Sequence, residues 1–382
     1  MLSPSAATME RVSVHAEMRR LLGDNLFDVP YDEWLPMRRA LQPIFTKKNV
    51  ATFAAHMAGA AETTTRGWED GGLVDLDAEC RKLTLRALGR SVLGVDLDQR
   101  SEQIAGSLNT ALSYIADRSG SPIRAPAWLP TPARRRALRA AAVLRGLTGD
   151  VLRECRQDTG RDAPLVRALM AAADPETGKC LSDNEIRDQL IIFMVAGHDT
   201  TATTLAYALW QLGRRPELQA RAVDEVAAIG ERELAGDDVA ALPYVGAIVH
   251  EALRLCPPSP ALGRTATSDV AVDGYRVPAG SLLIYGTAAV QRDPALWDRP
   301  DEFDPDRFMG AAARTHDRWQ YAPFGAGPRT CIGDHFAMLE ATLALATVLR
   351  RIEITSVDDD FPVEFPFTLV AAEPIRAMVH RR

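Results

Sequence analysis

The sequence predicts a mainly α-helical domain with small β-sheets placed late in the chain. Three observations carry that expectation. From about residue 30 to residue 255, apolar residues recur three and four apart, the period of a helix with one buried stripe. After Pro257 the texture changes to short β-prone runs, clusters of Pro and Asp, and a glycine-rich stretch. Alternating strand and helix units and internal repeats are absent from the sequence, which argues against a doubly wound sheet or a solenoid.

Taken in order, the runs ATFAAHMAGAAETTTRGWE (51 to 69), RRALRAAAVLRGLTGDVLRECRQ (135 to 157) and APLVRALMAAA (163 to 173) fill the helical region with Ala, Leu and Arg. The next helix is the most informative. Ser182 followed by Glu185 fits a capping box and Pro216 lies just beyond its end, so the spacing predicts a helix from about Asp183 to Leu212. At ~1.5 Å per residue it would be about 45 Å long, enough to cross the molecule. Its centre, LIIFMVAGHDTTATTLAYALW, is apolar around most of its circumference and is therefore internal. Into that centre the chain puts Gly197, His198, Asp199, Thr200 and Thr201. Glycine weakens a helix by about 1 kcal/mol and Thr can bond back to a carbonyl, so a kink beside a cavity is expected there. A kinked core helix with its hydroxyls satisfied internally is the competing reading. Beyond Pro257 come VAVDGYRVPAGSLLIYG, a Pro-, Asp- and Trp-rich stretch (293 to 308), the glycine-rich stretch (324 to 333), the helical run DHFAMLEATLALATVLRR, and the β-prone tail FPFTLVAAEPIRAMV.

Composition narrows the function classes. With 382 residues, 47% of them hydrophobic, the chain can bury a large core. A count of 44 basic against 51 acidic residues, net −7, gives no footprint for nucleic acid. The opening MLSPSAATMERVSVHAEMRR lacks a signal-peptide pattern and no apolar run reaches ~18 residues, so a cytoplasmic protein without a membrane segment is expected. Cys80, Cys155, Cys180, Cys256 and Cys331 are widely spaced and odd in number, which fits neither a disulfide framework nor a zinc pattern.

One cysteine stands apart. Phe324-Gly325-Ala326-Gly327-Pro328-Arg329-Thr330-Cys331-Ile332-Gly333 places a thiol at the entrance to a helix, where free N–H groups and the helix dipole favour a thiolate. Such a thiolate is a nucleophile or a metal ligand, and a single axial bond to haem suits it better than zinc. Here the chain resembles the cytochrome P450 family, whose Phe-x-x-Gly-x-Arg/His-x-Cys-x-Gly pattern is met by Phe324, Gly327, Arg329, Cys331 and Gly333. The resemblance implies non-covalent haem b with Cys331 as its thiolate ligand, Phe324 near the sulfur and Arg329 on a propionate. It extends to Glu251-x-x-Arg254, completed by Arg307 in FDPDRF, a buried structural triad. Ala196-Gly197-His198-Asp199-Thr200-Thr201 matches the motif in which Thr200 and Asp199 deliver protons to dioxygen and Gly197 makes room for it. His198 occupies a variable place and is read as structural. Trp34-x-x-x-Arg38 resembles the helix that donates to the propionates, with Arg264 as a further basic partner.

The resemblance runs from roughly Val14 to the end as one domain, 1–382. Its members usually carry several tens of residues before the Trp-x-x-x-Arg helix where this chain has 33, so the usual N-terminal helix and first strands are expected to be missing. YRVPAGSLLIYG (275 to 286) then resembles inner strands whose partners precede residue 1. Ser3 to Val14 or a second copy of the chain is expected to cover that edge, opening the way to a homodimer. Gln291 stands where many relatives have His. The implied activity is that of a monooxygenase inserting one oxygen atom of O2 into a small lipophilic substrate. Ala111 to Ile115, Leu190 to Met194, Pro260 to Leu262 and Phe367 to Leu369 would line its pocket. Electrons would come from a separate ferredoxin or flavodoxin-type donor with its reductase, docking where Arg38, Arg39, Lys47 and Lys48 lie without an acid among them. A peroxide-using, isomerase or dehydratase relative and a non-catalytic haem-binding protein are the alternatives.

Overall fold

A computed structural model describes residues 9–10, 14–97, 100–121, 125–126 and 128–382. Helices carry most of the chain and the strands are short, as the periodicity predicts. The central helix spans Asp183–Gly213, 31 residues, and its start is closed by the expected capping box between Ser182 and Glu185. From Thr201 to Gly213 every residue is buried. The helix is continuous through Gly197, so the weakened centre does not break it. Around it pack Leu76–Leu88, Pro132–Gln157, Pro243–Leu255 and Asp334–Arg351, together with the strand Ile352–Ser356. Its last residue must be small: a Cβ on Gly213 would lie 2.4 Å from Ser356 Oγ and 2.7 Å from Ser356 N.

Two three-stranded antiparallel sheets flank the helices. In one, Arg376–Arg381 is the middle strand between Gly72–Asp75 and Ile352–Ser356, with Val379 opposite both Gly72 and Ile354. In the other, Leu262–Ala266 lies between Met9–Glu10 and Leu282–Tyr285. Val270–Val272 and Tyr275–Val277 form a hairpin through Asp273 and Gly274, both at positive φ as its tight turn requires.

Among the described residues the run from 275 to 286 is split between two sheets. Tyr275–Val277 belongs to the separate hairpin, and Leu282–Tyr285 is an edge strand with Leu282 58% and Ile284 64% exposed. Met9–Glu10 pairs on the opposite side of that sheet, and among the described residues no strand pairs with this edge. The rest of the expected cover, residues 3–8 and 11–13, lies outside the described residues.

Candidate active site

The thiolate loop is built by two left-handed glycines. Gly325 and Gly327, at φ +71° and +79°, turn the chain so that Cys331 N donates to Phe324 O at 2.9 Å. Cys331 is exposed and stands three residues ahead of the helix Asp334–Arg351. Cys80, Cys155 and Cys256 are buried, and burial pushes the Cys256 thiol up to about 12, which keeps it inert. Cys180 is exposed but belongs to the bridge with Ala173.

Beside the loop lie three largely buried guanidinium groups. Trp34 and Arg38 come from the helix Tyr31–Leu41, four residues apart and on one face. Arg38 Nη1 donates to Thr330 O at 3.1 Å, and the neighbouring Arg329 lies over the Trp34 ring at 4.9 Å. Arg329 Nη2 donates to Val29 O at 3.1 Å and approaches Glu10 at 3.4 Å, while its Nε and Nη1 are buried without a partner among the described residues. Arg264 donates to its neighbour's carbonyl, Gly263 O, at 2.7 Å. Burial lowers the pKa of all three, with Cys331 and Asp334 opposing this at Arg38 and Glu10 opposing it at Arg264 and Arg329. Three buried cations, one of them with unfilled donors, call for an anion, and a haem edge with its propionates fits them. Glu10 was not foreseen; only the fold brings it within reach of Arg329.

Opposite chemistry faces the open side of the central helix. Ala196 is exposed and Gly197 and Thr200 are half-buried. Thr200 Oγ1 donates to Ala196 O at 2.7 Å, so its hydrogen is engaged and its lone pairs remain to accept. Asp199 points elsewhere. It is buried in an ion pair with Arg81, which also donates to Asp77 Oδ2 at 2.7 Å. The structure thus separates the expected acid–alcohol pair: only Thr200 is on the open face. Gly197 likewise has a packing reason, since its Cβ would meet Leu88 Cδ2 at 3.0 Å. His198 is buried against Thr84, its Nδ1 3.1 Å from Thr84 Oγ1, and burial holds it down at about 4, hence neutral. Of the pocket-lining segments, Ala111, Leu112, Ile115 and Leu190–Ile192 are core residues, while Phe193, Leu262, Phe367 and Leu369 are only half-buried.

The structure brings Glu251, Arg254 and Arg307 together. Arg254 donates to Glu251 through Nε at 2.7 Å and Nη2 at 2.8 Å, and to the carbonyls of Gln291 (2.9 Å), Pro300 (2.6 Å) and Glu302 (3.0 Å). Its five donors all have acceptors. Arg307 Nε lies 3.4 Å from Glu251, and its Nη2 donates to Arg299 O at 2.7 Å. Gln291, the departure from the usual His, is buried and donates to Leu253 O and Arg254 O, both at 3.0 Å.

The basic segment expected to receive a donor is smaller than its composition implies. Arg39 is bound to Asp174 at 2.8 Å and Glu176 at 2.8 Å, carboxylates that sequence distance concealed, leaving exposed Lys47 and Lys48.

Comparison with known proteins agrees with this geometry. Residues 4–379 match the family profile described as Cytochrome P450. Cyclooctat-9-en-7-ol 5-monooxygenase of Streptomyces melanosporofaciens is 33% identical over 90% of this chain and 75% of its own length. Pentalenene oxygenase of Streptomyces avermitilis is 32% identical over 88% of this chain and 75% of its own. The crystal structure of the cytochrome P450DA heme domain superposes with a TM-score of 0.90 at 30% identity, covering 99% of this chain and 85% of that one. A profile matched almost from end to end, relatives aligned over most of their length and a shared fold lead to one conclusion: the chain belongs to the cytochrome P450 family.

Proposed function

We propose that this haem-thiolate monooxygenase hydroxylates or epoxidises a cyclic, unsaturated lipophilic compound of the terpenoid kind, using electrons from a separate protein. Monooxygenase chemistry follows from the family. The observation that carries the site assignment is the cluster of buried Arg38, Arg264 and Arg329 beside the exposed Cys331, with two donors of Arg329 unfilled among the described residues. The substrate class rests on the names of the two relatives and on the half-buried apolar residues Phe193, Leu262, Phe367 and Leu369.

When bound, haem supplies the redox chemistry that activates dioxygen. The chain supplies the rest. Cys331 would be the ligand, with Arg38 favouring its thiolate form. Arg329, Arg264 and Arg38 would hold the propionates, with Trp34 beneath Arg329. Thr200 would accept a hydrogen bond from the oxygen side and return a proton once its own bond to Ala196 O is exchanged. Asp199 could refill that proton only after leaving Arg81. Lys47 and Lys48 would meet an acidic ferredoxin or flavodoxin.

The test is a screen of cyclic terpenoids, fatty acids and aromatic compounds for a ligand-induced change in haem absorption, followed by turnover under labelled O2. One labelled oxygen in a terpenoid product supports the reading. Binding confined to another class overturns the substrate assignment, and product without label overturns oxygen insertion by this protein. Cys331→Ala should abolish the thiolate-type carbonyl spectrum. Thr200→Ala should keep haem while diverting electrons to peroxide or water.

A further inference from the structure

Residues 118–149, RSGSPIRAPAWLPTPARRRALRAAAVLRGLTG, hold seven arginines and no Asp or Glu. The other 37 basic residues stand against all 51 acidic ones, a net of −14, so this stretch is a basic island in an acidic chain. Not all of its charge is free. Arg118 is tied to Glu17 at 3.0 Å, the half-buried Arg145 acts on Asp188, and Arg124 lies outside the described residues. Arg135, Arg136 and Arg139, at the start of the helix Pro132–Gln157, are exposed. Neither they nor the half-buried Arg134 have an acidic partner within ion-pair distance among the described residues. The acids on the adjoining helix Ser101–Gly120 are Glu102, which shares a groove with Arg136 and Arg139, and the exposed Asp117; neither pairs with this face.

Three apolar side chains stand among these cations. Trp128 is 79% exposed, more than any other large apolar residue described, and Leu129 and Leu138 are 39% and 45% exposed. Leu138 lies off the buried stripe of its helix, which runs through Ala137, Ala141, Leu144 and Leu147, and shares a face with Arg135 and Arg139. Trp319 shows the ordinary alternative: it is only 37% exposed and carries Arg318 over its ring at 4.6 Å. The segment bearing Trp128 is held in place. Leu129 N donates to Pro126 O at 3.0 Å, Thr131 N donates to Leu129 O at 2.9 Å, and the Thr131 hydroxyl caps the helix by accepting from Arg134 N. An indole held out in water beside unpaired cations calls for a cover that is both apolar and negatively charged. No described helix is long and apolar enough to cross a membrane, so a lipid cover would be met at its surface.

We propose that this face lays the protein on a bilayer containing anionic phospholipid, with Trp128, Leu129 and Leu138 entering the headgroup layer and Arg134, Arg135, Arg136 and Arg139 on its phosphates. The pattern favours lipid over an acidic protein. A protein interface gathers its anchors into one desolvated centre with a polar rim, whereas here the apolar groups are interleaved with arginines. A lipid surface accepts scattered anchors at one depth, indole at the level of the headgroups and guanidinium on phosphate. The acidic remainder of the chain opposes the contact only weakly, because charges more than ~8 Å from the lipid are screened at physiological ionic strength.

Nothing in this contact requires the monooxygenase reading, and vesicles test it on the haem-loaded protein. The protein should float with vesicles of phosphatidylcholine mixed with phosphatidylglycerol, bind pure phosphatidylcholine far more weakly, and be released as salt is raised. Each arginine brought to an anionic surface strengthens binding about fivefold, so Arg135→Gln with Arg139→Gln should weaken it about 25-fold. Arg153→Gln, on the same helix but paired with Asp150 at 3.0 Å, should bind as the wild type does. Lipid brominated on its acyl chains should quench part of the tryptophan fluorescence, and Trp128→Ser should lose that part. An unchanged haem spectrum shows that each variant is folded. Equal binding to both vesicle types, no binding to either, or wild-type affinity in the double variant overturns the proposal. Binding that needs the arginines yet leaves Trp128 unquenched also overturns it, since an acidic protein surface would give the same result.

Discussion

Glu251 and Glu340 are both fully buried, on helices that pack against the same central helix, and they have opposite fates. Glu251 accepts from Arg254 Nε at 2.7 Å, from Arg254 Nη2 at 2.8 Å and from Asp304 N at 2.9 Å. Glu340 accepts from nothing at normal hydrogen-bond distance among the described residues. Burial therefore does not decide what an acid is for; the donors folded around it do. Surrounded by donors, a carboxylate becomes a rivet whose loss strands its partners. Left alone, it gives up its charge and keeps its proton.

The comparison breaks most visibly at the rivet. Glu251→Gln should leave Arg254 and Arg307 with unmatched buried charge and cost about 3–5 kcal/mol, seen as a lowered denaturation midpoint and lost haem. Adding Arg254→Met to Glu251→Gln should recover part of that loss, because the coupled pair is then removed together. At Glu340 the effect depends on pH. The folded-state pKa, about 8, lies above that of the unfolded carboxyl near ~4.3, so the folded state binds the extra proton. Stability should fall as pH rises from ~4.3 to about 8, by at most about 1.4 kcal/mol per unit, and level off above. Denaturation of Glu340→Gln across that range should lack this component.

What could be read in the sequence was whatever a short span of chain encodes. Glu251 and Arg254 lie three apart on one helix, Cys331 lies within its glycine turn, and Ser182 and Glu185 close one capping box. Each is formed mostly by neighbours, so spacing alone locates it. What could not be read depends on partners brought from far away. Arg81 meets Asp199 across 118 residues, Arg39 meets Asp174 across 135, and Arg329 meets Glu10 across 319. Those contacts take Asp199 off the open face and neutralise part of the basic segment. Glu340 was hidden differently: one acid in an apolar helical run reads as a solvated position unless the whole circumference is known to be covered.

The sheet that closes on Arg376–Arg381 has a consequence for how the molecule comes into being. Its middle strand is made last, while one of its outer strands, Gly72–Asp75, is made some three hundred residues sooner. Antiparallel pairing cannot start from the outside, because the two outer strands touch only through the middle one. During synthesis Gly72–Asp75 must wait with its pairing groups open to water or to other chains, and closing so long a loop makes the step slow. Folding kinetics should therefore show a late phase that belongs to this sheet, and chaperone demand should be greatest just before Arg376–Arg381 emerges.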